Sequence, residues 1–281
     1  MKEFLKEKNT HPRDENLVFY QRGHKYQILT DTKSNYTSVT SWLHNLFPKF
    51  DAELVINKIK KGKNWNPENK YWGKSNQEIK NEWNTSGKEA CRLGTLLHSY
   101  IEDFMNAEMA QQEYTQKNIL DAKIHDHNKS RHSEIEWSFY EKFVEDFPDM
   151  VPFRTEWMIY DEKLKIAGSI DMVYKNADGS VSIYDWKRCK DIIYDSEWND
   201  MASNKNIKHL PNTNFWHYSL QLNMYKWILE TNYNLVVKDL VLVRLHPDNP
   251  EKTYELHEVS ILIHEIELLV EERINNIHTT I

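Results

Sequence analysis

The sequence has only two cysteines, Cys91 and Cys189, among its 281 residues. They form no CxxC pair and no cysteine and histidine cluster at zinc spacing, so we expect neither a disulfide framework nor a zinc or iron–sulfur site. No apolar run approaches the roughly 18 residues of a membrane span. The opening stretch, MKEFLKEKNTHPRDEN, is too polar and too acidic for a signal or transit peptide. We therefore expect an intracellular protein of a reducing compartment, cytoplasmic or nuclear, with no membrane partner.

Positive charge is also in short supply. The 36 Lys and Arg residues are outnumbered by 43 Asp and Glu residues, which gives a formal net charge of −7. The chain as a whole is therefore not a basic coat for nucleic acid, although a local basic stripe remains compatible with this total. A hydrophobic fraction of 40% is enough to bury a sizeable core, which argues against disorder of the bulk.

One segment departs from this acidic average. Residues 58–80 contain seven lysines and two glutamates, a local charge of about +5, with aromatic residues between them. Lysines that meet phosphates beside aromatic rings that stack on bases are typical of proteins that bind single strands. The alternative is a solvated loop with its aromatic residues folded underneath. The candidate DNA contacts are Lys58, Lys60, Lys61, Lys63, Trp65 and Trp72, with Arg188 as a further candidate that is otherwise structural.

Helical and extended patterns alternate along the chain in an order typical of a mixed α/β fold. Residues 17–37 predict a small β element, 39–50 a capped helix, 77–106 a long helix with a break near 85–87, and 107–147 a polar helical stretch. Three strands, a helix, two further strands and a final helix follow. We predict a mixed central sheet flanked by helices. We also predict two parts: residues 1–88, with a β element, a helical extension and the basic segment, and a core at 89–281.

The stretch SIYDWKRCK places Asp185 and Lys187 on one face of a predicted strand. The preceding NADG turn predicts a hairpin that pairs Asn176 with Ser180, and counting back from that pair sets Asp171 opposite Asp185. Two opposed carboxylates in a buried sheet destabilise each other or take up a proton. A divalent cation between them removes the conflict. The alternative is an ion network of the two aspartates with the lysine, and a register slip of one residue would remove the argument.

Two helical patterns add polar side chains. In GTLLHSYIED, Gly94, His98 and Glu102 recur at four-residue spacing on one side of a helix. The glycine would allow a close approach to the sheet, and the histidine could then reach a metal ion. In SLQLNMYKW, Gln221 and Tyr225 lie one turn apart and could bind phosphate oxygens or hold active-site side chains. Each pattern alone is also typical of ordinary packing.

Glu156 is a further candidate. If the turn after its strand has two residues, Glu156 lies opposite Ser169 and on the face of Asp171. It would then support the site or bind a second metal ion, and Glu102 has the same two roles open to it. The alternative for Glu156 is an ion pair with Lys187 or with a nearby arginine.

Four short motifs follow one another in an order and spacing typical of one protein family. They are GxxxH (Gly94, His98), GxxD (Gly168, Asp171), DxK (Asp185, Lys187) and QxxxY (Gln221, Tyr225). This set resembles the RecB-like branch of the PD-(D/E)XK nuclease superfamily, which includes the CRISPR-associated adaptation nucleases and the mitochondrial genome maintenance exonuclease. The stretch SVTSWLHNLFPKFD is similar to the leader of exonuclease-like members from large DNA viruses and mitochondria. This similarity is compatible with a viral origin of the protein. The cysteine quartet of the iron–sulfur members is missing, and no such cluster is expected.

The resemblance implies a restriction-endonuclease-like core, one or two Mg²⁺ or Mn²⁺ ions, and a DNA nuclease. In this branch the ligands correspond to His98, Asp171, Asp185 and the backbone carbonyl of Trp186. The imidazole suits Mn²⁺ somewhat better than a site of oxygens alone. Lys187 would orient and help deprotonate the attacking water, or offset charge on the phosphorus. Gln221 and Tyr225 would bind or position the substrate.

The resemblance further implies an exonuclease that acts on single-stranded or frayed DNA ends and leaves a 5′-phosphate and a 3′-hydroxyl, in repair, replication or recombination. Two alternatives stay open. One is an RNA endonuclease of the cap-snatching kind, which also joins a helical histidine to paired acids and a lysine. The other is a non-catalytic nucleic-acid-binding protein on the same fold, against which the presence of Asp171, Asp185 and Lys187 argues.

Overall fold

The structure, a computed structural model, describes residues 3–107, 114–122, 134–196 and 198–279. The helices are α1 (Phe4–Lys8), α2 (Val39–His44), α3 (Ala52–Lys61), α4 (Asn76–Met105), α5 (Gln116–Asp121), α6 (Glu134–Asp146), α7 (Asn214–Asn232) and α8 (Ile263–Thr279). The strands are β1 (Leu17–Tyr20), β2 (Lys25–Ile28), β3 (Thr37–Ser38), β4 (Val151–Asp161), β5 (Ile166–Lys175), β6 (Val181–Lys187), β7 (Val237–Arg244) and β8 (Glu255–Glu258). Of the predicted helical stretch 107–147, residues 108–113 and 123–133 lie outside the described residues. Among the described helices, none is long and apolar enough to cross a membrane.

Six strands form a mixed central sheet in the order β3, β5, β6, β7, β8, and β4 pairs with the other edge of β5. The β3/β5 and β6/β7 pairs are parallel, whereas β4/β5, β5/β6 and β7/β8 are antiparallel. One apolar layer joins a face of the sheet to α2, α7 and α8, and a second joins the other face to α4, α5 and α6. This arrangement confirms the predicted mixed sheet flanked by helices.

Helix α4 is a single element of 30 residues. It begins at a capping box, in which the Ser75 side chain accepts from the Glu78 backbone and the Glu78 carboxylate accepts from the Ser75 backbone. The predicted break near 85–87 is wrong, because one glycine in a helix costs only about 1 kcal/mol relative to alanine and its neighbours favour the helix. The helix runs across residue 88, and β3 from the N-terminal region pairs with β5. The division at 88 and 89 remains a prediction.

The edge of β5 that faces β6 is only partly paired. β3 pairs with Ile166 and Ala167, and β6 pairs with β5 from Met172 to Lys175. In the described chain, no strand pairs with residues 168–171 on that edge. The sheet therefore has a gap there, beside the position of Asp171.

A buried ion pair ties the N-terminal segment to β4. Arg154 Nη1 lies 2.7 Å from Asp14 Oδ2, and the indole N–H of Trp157 donates to Asp14 Oδ1 at 2.9 Å. The side chains of Arg154 and Asp14 are 4% and 10% exposed. Burial acts to raise the pKa of Asp14, but the hydrogen bonds from Arg154 and Trp157 outweigh it, and the pKa is lowered. The charged form of Asp14 therefore stabilises the contact between this segment and the sheet.

We expect Asp14→Asn to lower the free energy of unfolding by about 3 kcal/mol at neutral pH, because it leaves the buried Arg154 cation without its anion. The pKa of Asp14 is lower in the folded state, so its contribution is present above about pH 4 and is lost as the pH falls further. Urea unfolding at about pH 7 and about pH 3 measures both effects. Asp149→Asn, at an exposed position, is the control. A wild-type to variant difference that does not shrink on acidification would contradict this account.

Candidate functional site

His98 reaches the sheet gap from α4. Its Nε2 lies 2.8 Å from the carbonyl oxygen of Trp186. Because that oxygen can only accept, Nε2 carries the proton and Nδ1 faces the acids. Nδ1 lies 3.5 Å from Asp171 Oδ2 and 3.7 Å from Glu156 Oε1. Burial acts to lower the pKa of His98, but Asp171 and Glu156 outweigh it and raise the pKa to about 9.

Asp171 lies where β5 and β6 stop pairing. The register is the predicted one, since Val173 pairs with Ile183 and the hairpin closes through the bond from Asn176 N–H to the Ser180 carbonyl. Asp171 is therefore at the position opposite Asp185. Regular pairing has ended at this point. The Asp171 carboxylate instead accepts a hydrogen bond from the backbone N–H of Trp186, the residue after Asp185, at 3.0 Å. Burial raises the pKa of Asp171, against the effect of the nearby His98.

Glu156 joins the site by a route that the sequence did not predict. The turn between β4 and β5 has four residues rather than two, so Ser169 pairs with Met158 instead of Glu156. Glu156 falls opposite Asp171 and has a φ of 42°. A residue other than glycine in this left-handed region is strained by about 1–3 kcal/mol, which is a feature of functional sites. Ser169 Oγ still donates to Glu156 Oε2, at 3.0 Å.

His98, Glu156 and Asp171 form a cluster that could hold a metal ion. One ligand atom of each lies within 4.8 Å of the other two. A histidine that gives one ring N–H to a backbone carbonyl and turns its other nitrogen to the site is the usual arrangement in metal centres. Two carboxylates close to each other also favour a cation. These residues therefore fit a divalent cation, and one imidazole with two carboxylates is compatible with Mg²⁺ or Mn²⁺.

Asp185 lies outside this three-residue cluster and pairs with Lys187. Asp185 Oδ2 is 2.5 Å from Lys187 Nζ, and the two side chains are 2% and 16% exposed. Burial raises the pKa of Asp185 to about 6, although Lys187 acts in the other direction and Asp171 in the same direction. The sequence predicted that the two aspartates share one ion. In the structure Asp171 lies beside His98 and Asp185 pairs with Lys187, and the shared ion stays a prediction.

The GxxD and QxxxY motifs meet in the structure. A Cβ atom on Gly168 would lie 2.7 Å from Tyr225 Cε1, so only glycine lets the ring pack against β5 here. Gln221 Nε2 donates to the Tyr225 hydroxyl at 3.2 Å, and burial together with Asp171 raises the pKa of Tyr225. The same argument fails for Gly94, because a Cβ atom there would have no neighbour within 4 Å. The predicted close approach at Gly94 is therefore wrong.

Two other candidates lie near the site without joining the cluster. Glu102 lines a cavity of about 100 Å³ together with Glu156. Burial raises the pKa of Glu102 to about 7, and Glu156 adds to this effect. Arg188 Nη2 lies 2.7 Å from Glu136 Oε1, with side chains 11% and 2% exposed. That buried pair favours the structural alternative for Arg188.

The basic and aromatic segment lies beside the loop that follows β6. Lys58 Nζ lies 4.6 Å from the ring centroid of Trp198, which belongs to that loop. Lys60 Nζ donates to a backbone carbonyl of the same segment at 2.9 Å. The rings of Trp65 and Trp72 are 5.4 Å apart, and Trp72 is 45% exposed. Lys61 and Lys63 are exposed.

Two residues of the site were not predicted. Tyr218 lies under the Lys187 ammonium, with Nζ 4.4 Å from the ring centroid. It precedes Gln221 by three residues, so helical spacing was a signal that could have found it. Arg244 pairs with Lys187 across β6 and β7 and donates to the carbonyls of Cys189 and Lys190, which fixes the chain after the lysine. No sequence pattern distinguishes Arg244 from other strand arginines.

We expect Glu156→Gln and Asp171→Asn each to weaken Mn²⁺ binding by at least about tenfold, since each removes a charged ligand. Isothermal titration of Mn²⁺ at neutral pH measures the affinity. Glu102→Gln, outside the three-residue cluster, is the matched control and should keep the wild-type affinity. Wild-type affinity in Glu156→Gln together with a large loss in Asp185→Asn would instead support an ion between the two aspartates.

Comparison of this chain with known proteins identifies its family. No curated protein matches the sequence. A solved structure titled "Crystal structure of SSO0001" is 13% identical, with 65% of this chain and 84% of that chain covered and a TM-score of 0.27, too low to support an inference. The profile of the PD-(D/E)XK nuclease superfamily matches residues 70–279, a range that includes His98, Glu156 and Asp171. The chain belongs to the PD-(D/E)XK nuclease superfamily.

Proposed function

We propose that this protein is a metal-dependent DNA nuclease of the RecB-like branch, and that it acts as an exonuclease on single-stranded or frayed ends. The observation that carries the proposal is the meeting of His98, Glu156 and Asp171 beside the pair of Asp185 and Lys187. Superfamily membership supports nuclease activity. The four ordered motifs support the branch.

The acidic cluster would hold the cation. A divalent cation makes water acidic enough to attack a phosphodiester and offsets charge on the phosphate. His98 would present Nδ1 as a ligand, since its Nε2–H is already donated to the Trp186 carbonyl. Asp171 would present its carboxylate from a fixed position, because Oδ2 is held by the Trp186 N–H. Glu156 would complete the set from β4.

Lys187 would act on the phosphate and the attacking water. Its ammonium group lies on the β6 face next to the cluster and is charged because of Asp185, which raises its pKa against the opposing effect of burial. A fixed cation at this place offsets charge that develops on the phosphate oxygens. Gln221 and Tyr225, packed against Gly168, would position the scissile phosphate. The products would be a 5′-phosphate and a 3′-hydroxyl.

The preference for a DNA strand end rests on the resemblance to the RecB-like branch, and the basic and aromatic segment adds support for a single strand. Exposed lysines and the exposed ring of Trp72 are suited to a sugar-phosphate backbone and to bases. The contact of Lys58 with Trp198 joins α3 to the loop that follows the strand of Lys187. A single strand that lies along this segment would therefore lead to the site.

We expect the wild type to degrade end-labelled linear single-stranded DNA with Mg²⁺ or Mn²⁺ and to be inactive in EDTA. Lys187→Ala should lower kcat by at least about a hundredfold, because it removes one fixed donor to the transition state. A circular single strand of the same sequence should be spared, which separates an exonuclease from an endonuclease. The position of the label gives the direction of digestion.

The remaining substrates decide between the alternatives. Cleavage of RNA with none of DNA would favour the cap-snatching kind of endonuclease, and cleavage of the circle would contradict exonuclease action. Binding of DNA with no cleavage in any metal would favour a non-catalytic binding protein. Lys175→Ala, at an exposed position on β5, is the control for Lys187→Ala and should keep the wild-type rate.

We expect replacement of Lys58, Lys60, Lys61 and Lys63 by glutamine to weaken single-strand binding. The negative slope of log affinity against log salt should become shallower by about 2 to 3, since each phosphate contact on a single strand contributes about 0.7 to its magnitude. The matched control replaces Lys25, Lys33, Lys175 and Lys252, which are exposed elsewhere, with the same loss of charge. Equal slopes in the two quadruple variants would favour the alternative interpretation, in which the segment is a solvated loop that does not bind nucleic acid.

A further inference from the structure

We infer that Tyr218 is a positioning residue for Lys187. The face of its ring holds the lysine ammonium group on the site while the carboxylate of Asp185 responds to the bound cation and phosphate. This inference rests on the proposed function and adds a residue outside the four motifs.

The geometry places Tyr218 on the same helical face as the QxxxY motif. Tyr218, Gln221 and Tyr225 occupy positions i, i+3 and i+7 of α7, which is one stripe of a helix. Tyr225 packs on β5 at Gly168, and Tyr218 lies under Lys187 on β6. The stripe therefore spans the two strands that border the sheet gap.

The start of α7 is fixed to the chain that leaves β6. Asn214 Nδ2 donates to the carbonyl of Asp191 at 2.7 Å, and the N–H of Ile193 donates to Asn214 Oδ1 at 2.8 Å. The indole N–H of Trp216 donates to the Tyr194 carbonyl at 3.1 Å. These bonds hold the first turn of α7 against the segment that follows Lys187, so the position of the Tyr218 ring is set relative to the lysine.

Lys187 needs a second contact for a physical reason. A lysine is a compact charge on a flexible stem of four carbons, and one ion pair leaves it several rotamers. Asp185 is close enough to Asp171 for the two charges to interact, so a cation at the cluster would attract both carboxylates and weaken the hold of Asp185 on the lysine. An aromatic face attracts an ammonium group in any state of the carboxylates, and more strongly when the pair is shielded from water.

Tyr218→Leu and Tyr218→Phe test this inference in steady-state cleavage of linear single-stranded DNA with Mn²⁺. Leucine removes the ring, and we expect kcat to fall about tenfold with KM nearly constant. Phenylalanine keeps the ring and should retain most of the wild-type kcat. Tyr36→Leu is the matched control, because Tyr36 lies beside another lysine and aspartate pair, Lys165 with Asp31, away from the site. Thermal unfolding of each variant identifies losses that arise from instability.

A readout that does not need activity accompanies the kinetics. In protein with ¹³C-labelled lysine, the ε-methylene of Lys187, assigned by its absence in Lys187→Arg, should be shifted upfield by the ring in the wild type and in Tyr218→Phe. The shift should disappear in Tyr218→Leu.

The outcomes separate the two claims. An inactive wild type that shows the ring shift refutes the proposed function and leaves the contact of Tyr218 with Lys187 established. Equal loss of kcat in both Tyr218 variants, an effect on KM alone, wild-type rates in both, or no ring shift would each overturn the positioning role.

Discussion

The site depends on the two backbone groups of a single residue. The N–H of Trp186 donates to Asp171, and its carbonyl accepts from His98, at 3.0 and 2.8 Å. Both groups lie on the edge of β6 where β5 has turned away, so site side chains replace the missing strand partners. The indole of Trp186 is buried and makes edge contacts with Tyr140 and Phe143 of α6. Packing of one ring in the core therefore fixes the atoms that orient both the histidine and one acid of the candidate metal site.

The charges around this residue are arranged in two groups. Asp171 and Glu156 share His98, whereas Asp185 is neutralised by Lys187. Burial disfavours the charged form of both aspartates, and their pKa values are raised. A buried cluster with this many acids is costly for folding, since removal of carboxylates from water is only partly offset by their partners. The strained backbone of Glu156 adds to that cost, which is the usual sign that a site is shaped by its chemistry rather than by stability.

The sequence predicted the parts of the site that depend on local chemistry. The hairpin that begins at Asn176 has a turn whose residues dictate its length, and the register that brings Asp171 opposite Asp185 follows from it. Glu156 was placed two positions away because its turn has no such signature and its backbone leaves the strand conformation. The GxxxH and GxxD motifs each begin with a glycine, Gly94 and Gly168. Of these two, only Gly168 has a neighbour that excludes a side chain. Such differences arise from tertiary packing and are not contained in spacing.

Tyr218 illustrates a related limit. An aromatic residue on an amphipathic helix is most often part of the core. The residue type alone does not show that a lysine of strand β6 lies over the ring. Pairing of Asp185 with Lys187 was predictable because both lie on one strand. Contacts between elements that are distant in the chain required the folded structure.

The length of α4 has a mechanical consequence. Its 30 residues span about 45 Å, and five of its six buried side chains lie in its last third, from Leu97 to Met105, whereas the sixth is Ile79 near the start. His98 belongs to that end, whereas the first residues of the helix are part of the basic segment, and Trp83 donates to the Tyr71 hydroxyl there. A tilt of about 5° about the anchored end moves the start of the helix by about 3 Å and leaves the histidine almost in place. Movement of the helix start is thus mechanically separated from His98, so a shift of the outer segment need not disturb the candidate metal site.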